Sequence, residues 1–141
     1  MFLFQDILED LIEEKGLSLR KLALESNVSA SQYAKYLKGI IPSIEVSIRI
    51  ANYFKCSLDY LFGLNNNNNY SKKLEINLDN FVNKYENILK ESKLTHWKFA
   101  KKVNLSESCL RHWKYGQIPK MESIILIAKN LPTSIDFLIT K

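Results

Sequence analysis

Apolar residues recur every three or four positions along most of the chain, the pattern of short amphipathic helices. Phe4, Ile7, Leu8, Leu11 and Ile12 line the first of these, which Gly16 closes. Ser18 to Gly39, SLRKLALESNVSASQYAKYLKG, predicts two short helices joined by a tight turn. Leu22 and Ala23 form an apolar pair in the earlier one, and Asn27-Val28 makes the bend. Ser29 is placed to cap the later one, and Gly39 ends it. Pro42 suits the start of a fourth helix, with Ser43 as its cap and Ile44, Ile48, Ala51 and Phe54 as its stripe. Ser57 caps a short fifth, Leu58 to Phe62, stopped by Gly63. Five helices with no convincing strand predict an all-α fold.

The plan then recurs. A shift of 77 positions brings Leu17-Ser18 onto Leu94-Thr95, Leu22-Ala23 onto Phe99-Ala100, and Asn27-Val28-Ser29 onto Asn104-Leu105-Ser106. Tyr36 falls on Trp113, Gly39 on Gly116, Pro42 on Pro119, and Ser57-Leu58-Asp59 on Ser134-Ile135-Asp136. No gap is needed from Leu8 to Phe62. We read an internal duplication, a pair of domains and not a solenoid. The second set of helices is expected around Phe81, Tyr85, Ile88 and Leu89, then at Thr95 to Lys102, Ser106 to Tyr115, Met121 to Leu131 and Ser134 to Ile139. The domains are placed at 1–64 and 78–141. The asparagine run Asn65 to Asn69 opens a 65–77 linker. Leu74, Ile76 and Leu78 alternate there, which fits either a short extended arm or the frayed start of the next helix.

Charge distinguishes the halves. The net charge of +5 is a mild base excess that suits a polyanionic partner. Residues 1–64 hold 7 Lys/Arg against 8 Asp/Glu, and residues 65–141 hold 13 against 7. The basic surface is therefore expected in the second half. Cys56 and Cys109 are too few and too far apart for a disulfide framework or a metal site, and reduced thiols in a cytoplasmic protein are expected. The opening MFLFQDILED lacks a basic n-region, and no apolar run approaches the ~20 residues of a membrane helix. Units of about 60 residues bury only about 60% of their unfolded surface, so each is foldable without a wide margin.

The pattern LS-x-x-x-LA-x(5)-S-x-S…G-x-x-P…IA-x(5)-S-x-D-x-L resembles the lambda-repressor-like, Xre-type helix-turn-helix family. The likeness covers about 60 residues in each half. FKCSLDYLFG in the first half resembles the family's usual ending, and Trp113 supplies the tryptophan often found three residues before the glycine. The resemblance implies two tandem five-helix domains that bind double-stranded DNA, each laying its third helix in the major groove. There are departures. Leu19 and His96 stand where the family commonly has a phosphate-holding Gln, and Leu37 and Lys114 where it has Glu. Ile40-Ile41 replaces residues that are often basic, so the first half's claim on DNA is the weaker.

Carried over residue by residue, the resemblance implies base readers Glu107, Ser108, Arg111 and His112 in the second half, and Ala30, Ser31, Ala34 and Lys35 in the first. Arg can take guanine O6/N7, Glu can accept from cytosine N4, Ser serves either way, and Ala meets only a thymine methyl. Phosphate contacts are expected from Thr95, His96, Lys98, Lys101, Lys102, Lys114 and Lys120, and from Ser18, Arg20, Lys21 and Lys38. Tyr33, Tyr36, Leu110 and Trp113 read as core residues on the inward face of the third helices. No enzyme constellation is found, and neither cofactor nor metal is expected. The four glycines all look like helix ends, so there is no phosphate loop.

The expectation is a sequence-specific transcriptional regulator of bacterial or phage type. It would act as a single chain spanning an asymmetric site or as a homodimer on a palindrome. The alternative is a protein-binding helix-turn-helix module, antitoxin-like or inhibitory. In either case the acidic first half can serve in dimerisation or hold a protein partner.

Overall fold

The computed structural model describes residues 3–141. Among these the chain is all-α: ten helices, with one isolated antiparallel bridge, Ile76 to Thr140, as the only extended pairing. It divides into two compact units between Glu75 and Ile76.

The first unit contains α1 (Phe4–Lys15), α2 (Leu19–Ser26), α3 (Ala30–Leu37), α4 (Ile44–Phe54) and α5 (Leu58–Leu61). Helix α1 buries Phe4, Leu8 and Leu11 and packs on α3 and α5, with Phe4 stacked on Phe62 at 4.8 Å. Short helices leave several backbone N–H groups unpaired, and here serines satisfy them. Ser18, Ser43 and Ser57 accept from the amides of Lys21, Val46 and Tyr60. Ser29 goes further and forms a capping box. Its Oγ accepts from the Gln32 amide at 3.1 Å, while its own N–H donates to Gln32 Oε1 at 3.0 Å. Between α2 and α3, Asn27 takes the left-handed conformation (φ 59°), which Asn tolerates better than most residues. Its carbonyl accepts from Arg49 at 3.4 Å. The buried polar groups form a satisfied chain: Tyr33 O–H donates to Ser26 Oγ at 2.6 Å, and Ser26 donates to the Leu22 carbonyl at 2.8 Å.

The asparagine run, expected to begin a linker, is tied down onto this unit. Asn68 accepts from the Ser57 amide and donates to the Lys55 carbonyl, so one side chain serves both the end of α4 and the start of α5. Asn52 grips Leu74 by both its N–H and its C=O. Composition makes such a run look unstructured, but each amide carries donor and acceptor together and can satisfy exposed backbone. Residues 70–77 form no helix, and Ile76 pairs as an extended arm with Thr140.

The second unit contains α6 (Phe81–Glu91), α7 (His96–Val103), α8 (Cys109–Lys114), α9 (Met121–Asn130) and α10 (Ile135–Ile139). Its centre is aromatic. The Trp113 ring lies 5.1 Å from that of Phe81 and 5.7 Å from that of Tyr85, both edge-on, and Tyr85 meets Phe99 at 6.0 Å. Ile124, Ile127, Ile135 and Leu138 complete the core. Thr95 and Ser134 cap α7 and α10. Adding 77 to the bounds of α2 gives those of α7, and Asn104 repeats the left-handed turn at φ 62°.

The third helix departs from this register. Ser106 to Tyr115 was expected to be helical, but α8 spans only Cys109 to Lys114, six residues against eight in α3. The capping box of α3 has no counterpart here. The position of Gln32 is held here by Cys109, which has no amide to close a capping box with Ser106. Instead the Cys109 N–H donates to the Ser106 backbone carbonyl, and Ser108 precedes the helix without a side-chain cap bond.

Candidate nucleic-acid interface

In the first unit the turn at Asn27 sets α3 after α2 with Tyr33 and Tyr36 inward and Ser31, Ala34 and Lys35 outward. Ala30 is half-buried, and the Ser31 hydroxyl lies 3.1 Å from that of Ser29. Arg20, Lys21 and Lys38 are exposed, whereas the Ser18 hydroxyl is occupied as a cap. Beside these cations the outward side carries exposed apolar groups, Leu24 (80% exposed) and Ile40 (54%).

In the second unit α8 turns Trp113 inward and leaves Arg111 and His112 in solvent, with Leu110 half-buried. Glu107 and Ser108 lie in the turn before the helix, Glu107 exposed and Ser108 half-buried. A cleft of about 240 Å³ runs beside the start of α8, lined by Ser106, Ser108, His112, Gln117, Ile118 and Lys120 among others. Of the expected base readers, Ser108 and His112 line it together with Lys120. Lys98, Lys101 and Lys102 are exposed along α7, and Thr95 caps it. Counted by structural unit, residues 76–141 carry 11 Lys/Arg against 6 Asp/Glu, and residues 1–75 carry 9 against 9. The positive field belongs to the second unit.

Beyond the capping Ser18 and Thr95, two more of the expected phosphate contacts have other partners. His96 is half-buried, with both ring nitrogens engaged: Nδ1 lies 2.7 Å from the Tyr85 hydroxyl and Nε2 3.1 Å from the Glu107 carbonyl. A carbonyl only accepts, so Nε2 carries the hydrogen, and in the neutral ring Nδ1 accepts from the phenol. No ring nitrogen is left for a phosphate. Lys114 pairs with Glu86 on α6 at 3.3 Å, a half-exposed ion pair of small net worth that diverts the ammonium. The Cys109 thiol sits 3.8 Å from His96 Nε2, and burial pushes its pKa up. That is the opposite of an activated thiolate.

Sequence reading missed three exposed aromatic and apolar residues near α7 and α8: Trp97 (52% exposed), Tyr115 (85%) and Ile118. Lys101 lies over the Trp97 ring at 4.7 Å. The register carried the missed signal, since Trp97 and Tyr115 align with the exposed cations Arg20 and Lys38.

Residues 8–61 match the helix-turn-helix family model, a family of DNA-binding regulators. The match runs from the second turn of α1 to the last residue of α5, so the first unit holds a helix-turn-helix domain. Nothing among the curated proteins and nothing among the solved structures matches the chain. Among the described residues no three His, Cys, Asp or Glu side chains are disposed to hold a metal ion, and no helix is long and apolar enough to cross a membrane.

Proposed function

We propose that this protein is a sequence-specific DNA-binding transcriptional regulator of bacterial or phage type, and that the second unit, a copy of the first, carries its main reading face. One observation supports this most. At a shift of 77 positions from α2, which lies in the matched segment, stands α7 with the same bounds, and α7 and α8 expose Lys98, Lys101, Lys102 and Arg111. Arg111 and His112 would face base edges, while the lysines of α7 and Lys120 would take phosphates. Binding would act by occlusion or recruitment at an operator and needs no cofactor. A single chain would read a lopsided site with its two unlike third helices, whereas a homodimer would read a palindrome through the basic units.

Sequencing genomic duplexes captured by the purified protein tests this. Retained fragments should share a site, and engagement of roughly 5–8 phosphates should cost roughly 500- to 20,000-fold in affinity between 50 and 200 mM salt. Arg111→Ala should weaken the selected site about 5- to 150-fold and relax its sequence at one position. Failure to retain any duplex at low salt ends the regulator reading.

A second reading draws on exposed Leu24 and Ile40, where the second unit has Lys101 and Gln117. It makes the first unit a dimerisation or protein-binding surface with little part in DNA contact. The pair Arg20→Glu and Lys35→Glu would then leave DNA affinity nearly unchanged. Losses equal to those from Lys102→Glu with Arg111→Glu would remove it.

A further inference from the structure

Helix α3 starts at a capping box, and α8 has none, because Cys109 stands in the place of Gln32. The turn before α8 is nevertheless held. His96 Nε2–H donates to the Glu107 carbonyl at 3.1 Å, and the Tyr85 hydroxyl, buried on α6, fixes the ring from its other side at 2.7 Å. The ring is further enclosed edge-on by Tyr85 at 5.7 Å and Trp113 at 6.5 Å. At the shifted positions the first unit has Leu8 and Leu19, which can make neither bond. The Tyr–His relay occurs in the unit that lacks the Gln.

We propose that His96 is a positioning residue that takes over the work of the missing capping box, holding the 107–108 turn against α6 and so setting where α8 begins and how it presents Arg111. It differs in kind from a cap. A capping box satisfies amides within one helix, whereas His96 reaches from α7 and ties three elements together through a backbone acceptor. The register of the reading helix is thereby tied to the packing of α6. The consequence at the duplex rests on the DNA reading above, but the positioning role itself does not.

The full-length chain tests this by residue-resolved amide exchange. His96→Leu should speed exchange at residues 109 and 110 about tenfold or more relative to the amides of α9, because the turn loses its anchor. Adding Cys109→Gln should rebuild with Ser106 the box seen at Ser29 and Gln32, and return exchange there to within about threefold of the wild type. It cannot give the Tyr85 hydroxyl a partner, so the melting temperature should stay low while local protection recovers. A purely structural His96 would lose protection evenly over α6 to α10, with no local recovery, and that result overturns the proposal. So does a ring nitrogen spectrum showing the hydrogen on Nδ1. On a duplex selected as above, His96→Leu should lose about tenfold in affinity and the double variant should regain it. If no duplex binds, the exchange result still decides the positioning role.

Discussion

At the middle of the first unit the Tyr33 hydroxyl donates to Ser26, which donates to the Leu22 carbonyl, and Arg49 reaches the carbonyl of the Asn27 turn. At the shifted positions the second unit has Leu110, Val103 and Leu126, none of which can form such bonds. Its centre is instead the edge-on cluster of Trp113, Phe81, Tyr85 and Phe99. Both routes give the same bend, φ 59° at Asn27 and 62° at Asn104. The turn is therefore set by what the units share: an Asn that accepts the left-handed region and apolar stripes that leave two short helices one way to pack. The polar anchors are exchangeable. The third helices differ in length all the same, six residues in α8 against eight in α3.

The hardest test of this contrast is Trp113→Ala. Truncating a buried aromatic costs about 3–5 kcal/mol. A unit of 66 residues has a total stability of about 3–10 kcal/mol. The substitution should collapse the dispersed amide spectrum of residues 76–141 while that of the first unit persists. A second unit that stays dispersed and melts within a few degrees of wild type would show that the aliphatic stripe of α9, not the ring cluster, organises it.

A smaller effect separates the two cores from the other side. Ser26→Ala leaves the buried Tyr33 hydroxyl without its acceptor and should cost about 1–3 kcal/mol by urea unfolding. Tyr33→Phe alone should cost about 1 kcal/mol, and the double variant less than the two summed, since neither partner is then left unpaired. Strict additivity would mean that the pair is incidental and that both units rest on apolar packing alone.

What could be read in the sequence was local. Ser18, Ser29, Ser43, Ser57, Thr95 and Ser134 each accept an amide three residues on, as a cap must, and the apolar stripes fall inward where their period puts them. What escaped depends on partners distant along the chain. Ser106 looks like Ser29, but its hydroxyl meets only that of Ser108, at 3.0 Å, and α8 begins without a side-chain cap. His96 looks like a surface side chain until Tyr85 and Glu107, each 11 residues away, close on its two nitrogens. The asparagine run looks free because no pattern within it shows that Asn68 serves the ends of two helices. Among the expected contacts, the exposure of Arg111 and Lys101 followed from their spacing, whereas the diversion of Lys114 to Glu86 did not.

The smallest difference between the units is also the cleanest to measure. After the first helix of each, one residue turns left-handed: Gly16 at φ 66° and, at the shifted position, Lys93 at φ 58°. A side chain in that region brings Cβ against the following carbonyl, at about 1–2 kcal/mol, a cost glycine does not bear. Glycine in turn gives the unfolded chain more freedom, which offsets about 0.4–1 kcal/mol of the gain. Lys93→Gly should therefore stabilise the second unit by about 0.5–1 kcal/mol. By about 4–8 °C per kcal/mol for domains of this size, that raises its melting midpoint a few degrees. Gly16→Lys should lower the first unit's midpoint by the same amount. No atom lies within 4 Å of a Cβ built at Gly16, so that change tests backbone conformation without a clash. Equal and opposite shifts would mean that the two units differ here by one residue on a common backbone. A loss at Gly16 without a gain at Lys93 would mean that the exposed Lys93 side chain contributes something its backbone angle does not reveal.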